Sequence, residues 1–215
     1  MISEPVNKPD VQAVWRNYEI MRPSSRENSR LLTLGKSDRN SIFGFSAGRT
    51  WGDFAVYNLY NSDKNKSADI TLDFGDAGLP SGTRCAVYDF WENKVVGYAT
   101  DSFIGKNIPK NGSLLLRFTP LTGDSPQLVG SNLHLSIGAT EIEEIYTTSK
   151  SIKIMLSSAG AQTGDLLFHS TKAIEAGTSE NCSISSVQGL GDNLWKVSVK
   201  GRIWNTQQII NLNIE

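Results

Sequence analysis

The stretch that most constrains the fold is residues 82–97, GTRCAVYDFWENKVVG, which reads as an aromatic strand, a polar turn and an answering strand. Successive strand side chains alternate between faces, so Cys85, Val87 and Asp89 project one way and Arg84, Ala86, Tyr88 and Phe90 the other. One of those faces is expected to meet a core. Trp91 ends the run, Glu92-Asn93-Lys94 supplies turn chemistry, and Val95-Val96-Gly97 resumes an extended path. A hairpin of this kind needs further strands beside it to be stable.

The rest of the chain provides them. Strand signals recur at 41–47, 51–60, 68–74 and 113–119, punctuated by polar turns at 48–50, 61–66 and 75–82. In 54–60 the residues Phe54, Val56, Asn58 and Tyr60 share one face and Ala55, Tyr57 and Leu59 the other, the pattern of an inner strand. Residues 121–126, LTGDSP, have the composition of a boundary loop. Beyond it, 134–137, 139–147, 151–157, 165–169 and 209–214 read as strands, with Val187, Trp195, Val197, Val199 and Ile203 in others. With 215 residues and no βαβ alternation, the expectation is all-β. It comprises a lead-in segment at 1–23, a β-sandwich at 24–120 and a second, smaller antiparallel sandwich at 121–215. The lead-in allows two readings: Val11, Val14, Trp15, Tyr18 and Met21 at helical spacing between Asp10 and Pro23, or an extended segment.

Charge and motifs exclude several functions. With 21 basic and 22 acidic residues the net charge is −1, which provides no field for nucleic acid or an anionic membrane. No apolar run reaches the ~20 residues needed to span a bilayer, and residues 1–9 have neither the basic start nor the apolar stretch of a signal peptide, so the chain is expected to be soluble. Cys85 and Cys182 are expected to be free buried thiols. His134 and His169 have no partner at metal-ligand spacing and no Gly-x-Ser-x-Gly elbow nearby, so no metal, cofactor or hydrolytic triad is expected, and both read as packed or edge residues.

Glycoside hydrolysis would require two carboxyl groups flanking the bond. Asp73 with Asp76, Asp89 with Glu92, and Glu141 with Glu143 and Glu144 are the candidates by position. Asp89 reads instead as a carboxylate bonded to turn amides, and the three glutamates as a solvated face. Sugar binding would use aromatic platforms. Of five tryptophans, Trp51 and Trp195 read as core, while Trp91 and Trp204 are the candidate carbohydrate platforms, Trp91 having packing under its hairpin as its alternative. Trp15, Tyr18 and Trp91 are the candidates for docking a partner.

Residues 51–61 (WGDFAVYNLYN), 78–80 (GLP), 87–97 (VYDFWENKVVG) and 108–113 (IPKNGS) together resemble, in order, the C-terminal β domain of α-galactosidase-like glycoside hydrolases. Residues 126–138 similarly look like the junction to a further β module in raffinose-synthase-like members. The resemblance implies a sandwich whose catalytic aspartates lie on a preceding (β/α)8 barrel, which this chain lacks, so it transfers no catalytic residue. It implies a non-catalytic accessory β region of a carbohydrate-active enzyme, packing against a catalytic barrel or left over from one, with a glycosidase barrel or carbohydrate as its partner. A free-standing carbohydrate-binding module and a structural interaction domain are the alternatives.

Overall fold

A computed structural model describes residues 30–32, 40–123, 125–158, 163–201 and 206–215. Among these the chain is all-β. The strands of the first half are β1 (Arg30–Leu31), β2 (Asn40–Ala47), β3 (Phe54–Asn61), β4 (Ala68–Asp73), β5 (Cys85–Asp89), β6 (Lys94–Ala99), β7 (Ser102–Ile108) and β8 (Ser113–Pro120). Those of the second half are β9 (Gln127–Ser131), β10 (Ile142–Thr147), β11 (Ser151–Leu156), β12 (Thr163–His169), β13 (Ile174–Glu180), β14 (Cys182–Gly191), β15 (Leu194–Gly201) and β16 (Gln208–Ile214).

In the first half a six-stranded antiparallel sheet, β1-β2-β3-β8-β5-β6, faces the two-stranded sheet β4-β7. Ala55, Tyr57, Leu59, Cys85, Val87, Leu116 and Phe118 line its inner face and meet Ile70, Leu72 and Ile108 of the small sheet. Asn61, which ends β3, is fully buried and donates its side-chain amide to the carbonyls of Ile108 and Lys66 at 2.9 and 3.0 Å. It thereby ties two loops to the strand end, satisfying groups that the interior would otherwise leave unpaired. In the second half the sheets β10-β11-β16-β13 and β14-β15-β12-β9 enclose a core of Ile152, Ile154, Leu166, Phe168, Val197 and Leu212 among others.

A third core joins the halves. The opposite face of the six-stranded sheet contributes Phe54, Val56, Ala86, Tyr88 and Phe90, and the second half contributes Val129, Ile137, Ala139 and Leu167. Every residue of β5 is therefore buried, which corrects the expectation of one core face: Cys85 and Val87 serve the first sandwich, Ala86 and Tyr88 the seam. Arg117 of β8 projects into this seam and is fully buried. Its guanidinium donates to the carbonyls of Ile137 and Leu128 at 2.6 and 2.8 Å and to the Thr119 hydroxyl at 2.9 Å, and lies 3.9 Å over the Phe54 ring.

The segment 134–137 is a turn and not the expected strand, and the strand expected at 139–147 begins only at Ile142. The apolar alternation there is real, but the backbone is bent around buried polar groups. Ile137 sits at φ 45°, a strained conformation for a β-branched residue, and its carbonyl is the one that Arg117 holds. Strand β3 likewise starts at Phe54 and not at Trp51. Turn 160–164 and Ile203 lie wholly or partly outside the described residues, as does the lead-in at 1–23.

At Gly130 of β9 there is no room for a side chain, because a Cβ would overlap the Tyr88 ring. Gly130→Ala is expected to destabilise the chain by about 1–3 kcal/mol through overpacking of the seam. Urea unfolding would measure this, and a loss within about 0.5 kcal/mol would contradict the close approach.

Candidate functional site

The β5–β6 turn is built by Asp89, whose Oδ1 accepts from the backbone N–H groups of Trp91 and Glu92 at 2.9 and 3.0 Å. Its reading as a turn carboxylate holds. Asn93 closes the turn at φ 49°, accepts from the Tyr88 hydroxyl at 2.9 Å and donates to Asp165 of the second half at 2.6 Å. Burial, reinforced by the Asp165 and Asp89 charges, pushes the Tyr88 phenol upward, so it serves as a donor throughout the neutral range. The tip is fixed, yet Trp91 itself is 62% exposed, resting edge-on against Phe90 at 4.9 Å. Of the two readings of Trp91, exposure is the observed one.

Trp91 packs against Phe90, which ends a row that runs across the six-stranded sheet. Leu31 pairs with Phe43, Phe43 with Asn58, and Asn58 with Leu115, beside which Phe90 is hydrogen-bonded. The second half covers the neighbouring row, Phe45, Val56, Arg117 and Tyr88, but Leu31 and Phe43 remain 45% and 42% exposed. The sheet face is thus half covered and half open, with aromatic and branched side chains on the open part. Trp15, Tyr18 and Trp204 lie outside the described residues, so Trp91 is the sequence-nominated platform whose position is seen. Phe43 and Leu31 join it through strand register, which no local pattern encodes.

Several of the carboxylates nominated for hydrolysis accept hydrogen bonds from backbone or side chains. Asp73 accepts from Gly75 and Asp76 amides, and Glu143 from the Gln207 amide at 2.7 Å. Glu144 accepts from the Thr50 hydroxyl. Glu141 is fully buried, which corrects the solvated-face reading: it accepts from the Ser131 and Ser136 hydroxyls at 2.9 Å each and from the Gly138 N–H at 2.6 Å. Its charge helps retain the proton on Arg117, whose burial lowers the guanidinium pKa to about 9.

Ser136 also lies 2.9 Å from His134 Nδ1, bringing a serine, a histidine and a glutamate together. The arrangement is unlike a nucleophilic triad, in which the histidine bridges the other two. Here Ser136 is the bridge, its proton is given to Glu141, and the Ser136 N–H donates to His134 Nδ1 at 3.0 Å. Serine and histidine are each 4% exposed. The cluster shapes the turn that receives Arg117. Among the described residues no group of three histidine, cysteine, aspartate or glutamate side chains is placed to hold a metal, and no helix is long and apolar enough to cross a membrane.

Residues 46–118 match the sequence family of the alpha galactosidase C-terminal beta sandwich domain. The match covers about a third of the chain. The domain's span runs from the end of β2 to β8, so it includes the Trp91 hairpin and Arg117. No curated protein matches the chain. Among solved structures, a β-L-arabinopyranosidase from Geobacillus stearothermophilus in complex with arabinose is similar at 13% identity and TM-score 0.37, over 44% of this chain and 20% of that one. Alpha-galactosidase I from Mortierella vinacea is similar at 18% identity and TM-score 0.36, over 44% and 24%. An isomalto-dextranase from Arthrobacter globiformis T6 complexed with panose is similar at 11% identity and TM-score 0.30, over 81% and 33%. The chain thus spans between 20% and 33% of the length of these proteins.

Both cysteines are free and buried, as expected. Burial pushes the Cys85 thiol up to about 11, which removes the reactive thiolate at pH 8. The folded chain is expected to leave both thiols untouched by Ellman's reagent at pH 8 and to release two on unfolding in guanidinium. Prompt reaction of the native protein would contradict this burial.

Proposed function

We propose that the chain is a non-catalytic accessory β region of an α-galactosidase-type carbohydrate-active enzyme, one that packs against a catalytic (β/α)8 barrel. The observation that carries this reading is the match of residues 46–118 to the α-galactosidase C-terminal domain. The exposed Leu31, Phe43 and Trp91 support it, since apolar side chains fixed on a rigid sheet are the surface a barrel would cover. So does the use of Asp73, Asp89 and Glu141 in holding turns, which leaves them committed to backbone. A second reading, a carbohydrate-binding module, rests on the exposure of Trp91, whose indole face can stack on the apolar side of a pyranose ring.

The test uses the full chain with a separately produced α-galactosidase barrel lacking its β domain. The chain alone is expected to release no nitrophenol from nitrophenyl α-galactoside. It is expected to bind the barrel, with Phe43→Asp and Trp91→Ala each weakening the complex about tenfold or more. Turnover by the chain alone would overturn the non-catalytic reading. Failure to bind the barrel, combined with loss of glycan binding in Trp91→Ala, would favour the module.

A further inference from the structure

A hollow lies on the seam, away from Leu31, Phe43 and Trp91. It measures about 410 Å³ and is lined by Arg84, Tyr98, His169, Asp192 and Asn193. That size falls within the ~300–1,000 Å³ of small-ligand sites. The residues come from separate parts of the fold: Arg84 just before β5, Tyr98 in β6, His169 at the end of β12, and Asp192 with Asn193 at the β14–β15 turn. The first two belong to the first half and the others to the second.

The walls are fixed by contacts within the protein. Arg84 is held with its guanidinium 3.9 Å over the Tyr98 ring. The His169 ring stands nearly perpendicular to Tyr98 at 6.3 Å. Asp192 and Asn193 take left-handed conformations at φ 50° and 61°, which turn the hairpin tip over β6. The Asp192 carbonyl accepts from the Tyr98 hydroxyl at 3.4 Å, and the Asn193 carbonyl from the Ser170 N–H at 2.7 Å.

The chemistry of the walls selects a ligand class. Arg84 and Asp192 carry opposite charges on one hollow yet form no ion pair with each other. A free anion would face the Asp192 carboxylate, and a free cation the Arg84 guanidinium. Burial, and then the neighbouring Arg84 charge, lower the His169 pKa, so the ring is neutral at pH 7 with one donor and one acceptor nitrogen. Asn193 adds an amide with both functions. A ligand that satisfies such a set must donate and accept at adjacent positions while carrying no net charge, which is the property of vicinal hydroxyl groups.

We infer that the hollow between Arg84, Tyr98, His169, Asp192 and Asn193 is a binding site for a neutral sugar ring, held by hydrogen bonds to its adjacent hydroxyls. Arg84 donates to one hydroxyl and Asp192 accepts from its neighbour, while Asn193 and His169 complete the set. The covered face of Tyr98 supports Arg84, so the ring positions the guanidinium and is not itself a stacking platform. The inference goes beyond the accessory role and does not depend on it, because none of these residues lies on the open apolar row.

The test is a titration of the isotopically labelled full chain, followed by amide NMR, with galactose, glucose and mannose as neutral probes and galacturonate and glucosamine as charged ones. Saturable shifts centred on residues 84, 98, 169 and 191–194 are expected with at least one neutral sugar, and weaker binding of both charged ones. Arg84 and Asp192 are exposed, so Arg84→Ala and Asp192→Asn keep the fold, and the latter residue tolerates the left-handed turn. Each is expected to weaken the neutral sugar by about tenfold. Asp192→Asn should shift preference towards galacturonate, and Arg84→Ala towards glucosamine. Absence of saturable shifts with all three neutral sugars, charged sugars binding the wild type as well as neutral ones, or variants with unchanged affinity would each overturn the site. Trp91→Ala should leave this titration unchanged, which separates its outcome from that of barrel docking.

Discussion

A single buried guanidinium sets the form of this molecule. Taking a charge out of water costs several kcal/mol unless hydrogen bonds and a countercharge replace what hydration supplied. Arg117 finds its acceptors on both halves: Thr119 beside it in β8, and the Leu128 and Ile137 carbonyls of the second half. The countercharge, Glu141, is itself held by two hydroxyls and the Gly138 amide. Residues 134–141 are bent to deliver these groups, and the strained Ile137 is where the bend is concentrated. The two sandwiches are consequently joined through a shared core, not strung on the 121–126 loop alone.

That arrangement determines which surfaces remain for function. The seam covers one part of the six-stranded sheet and leaves the Phe43 and Trp91 part open, on a frame made rigid by Asp89, Asn93 and Asp165. It also brings the β14–β15 turn over Tyr98, creating a polar hollow that neither half has by itself. Of the carboxylates that sequence position alone would nominate for bond cleavage, Asp73, Asp89 and Glu141 are committed to turns and to the seam. The surfaces left open are the apolar side chains of Phe43 and Trp91 and the polar hollow at Tyr98.

Much of the first half was legible because its strands alternate or are apolar throughout, and because turn residues mark their ends. β2, β4, β5, β6 and β8 lie close to where pattern places them. β13 was missed because IEAGTSE is largely exposed and carries no apolar period, as suits a sheet edge. β9 falls in the stretch whose resemblance suggests a junction, and its short run, QLVGS, carries a glycine that lets Tyr88 approach. The 134–141 turn reads as strand because Leu133, Leu135 and Ile137 alternate, while the deciding partner, Arg117, is 20 residues from Ile137 in sequence. The same distance concealed Glu141, whose neighbours in the chain look like a solvated acidic run. The hollow at Tyr98 depends on residues from four places in the chain, so no local motif could announce it.

The central claim is that Arg117 makes the two sandwiches one cooperative body. Calorimetry of the wild type beside Arg117→Met tests it most directly. The account predicts one two-state transition in the wild type, with equal calorimetric and van't Hoff enthalpies. In the variant it predicts a loss of about 3–5 kcal/mol, or separation into two transitions as the halves uncouple. Two independent transitions in the wild type, or a variant that unfolds as one body within about 0.5 kcal/mol of it, would contradict the claim.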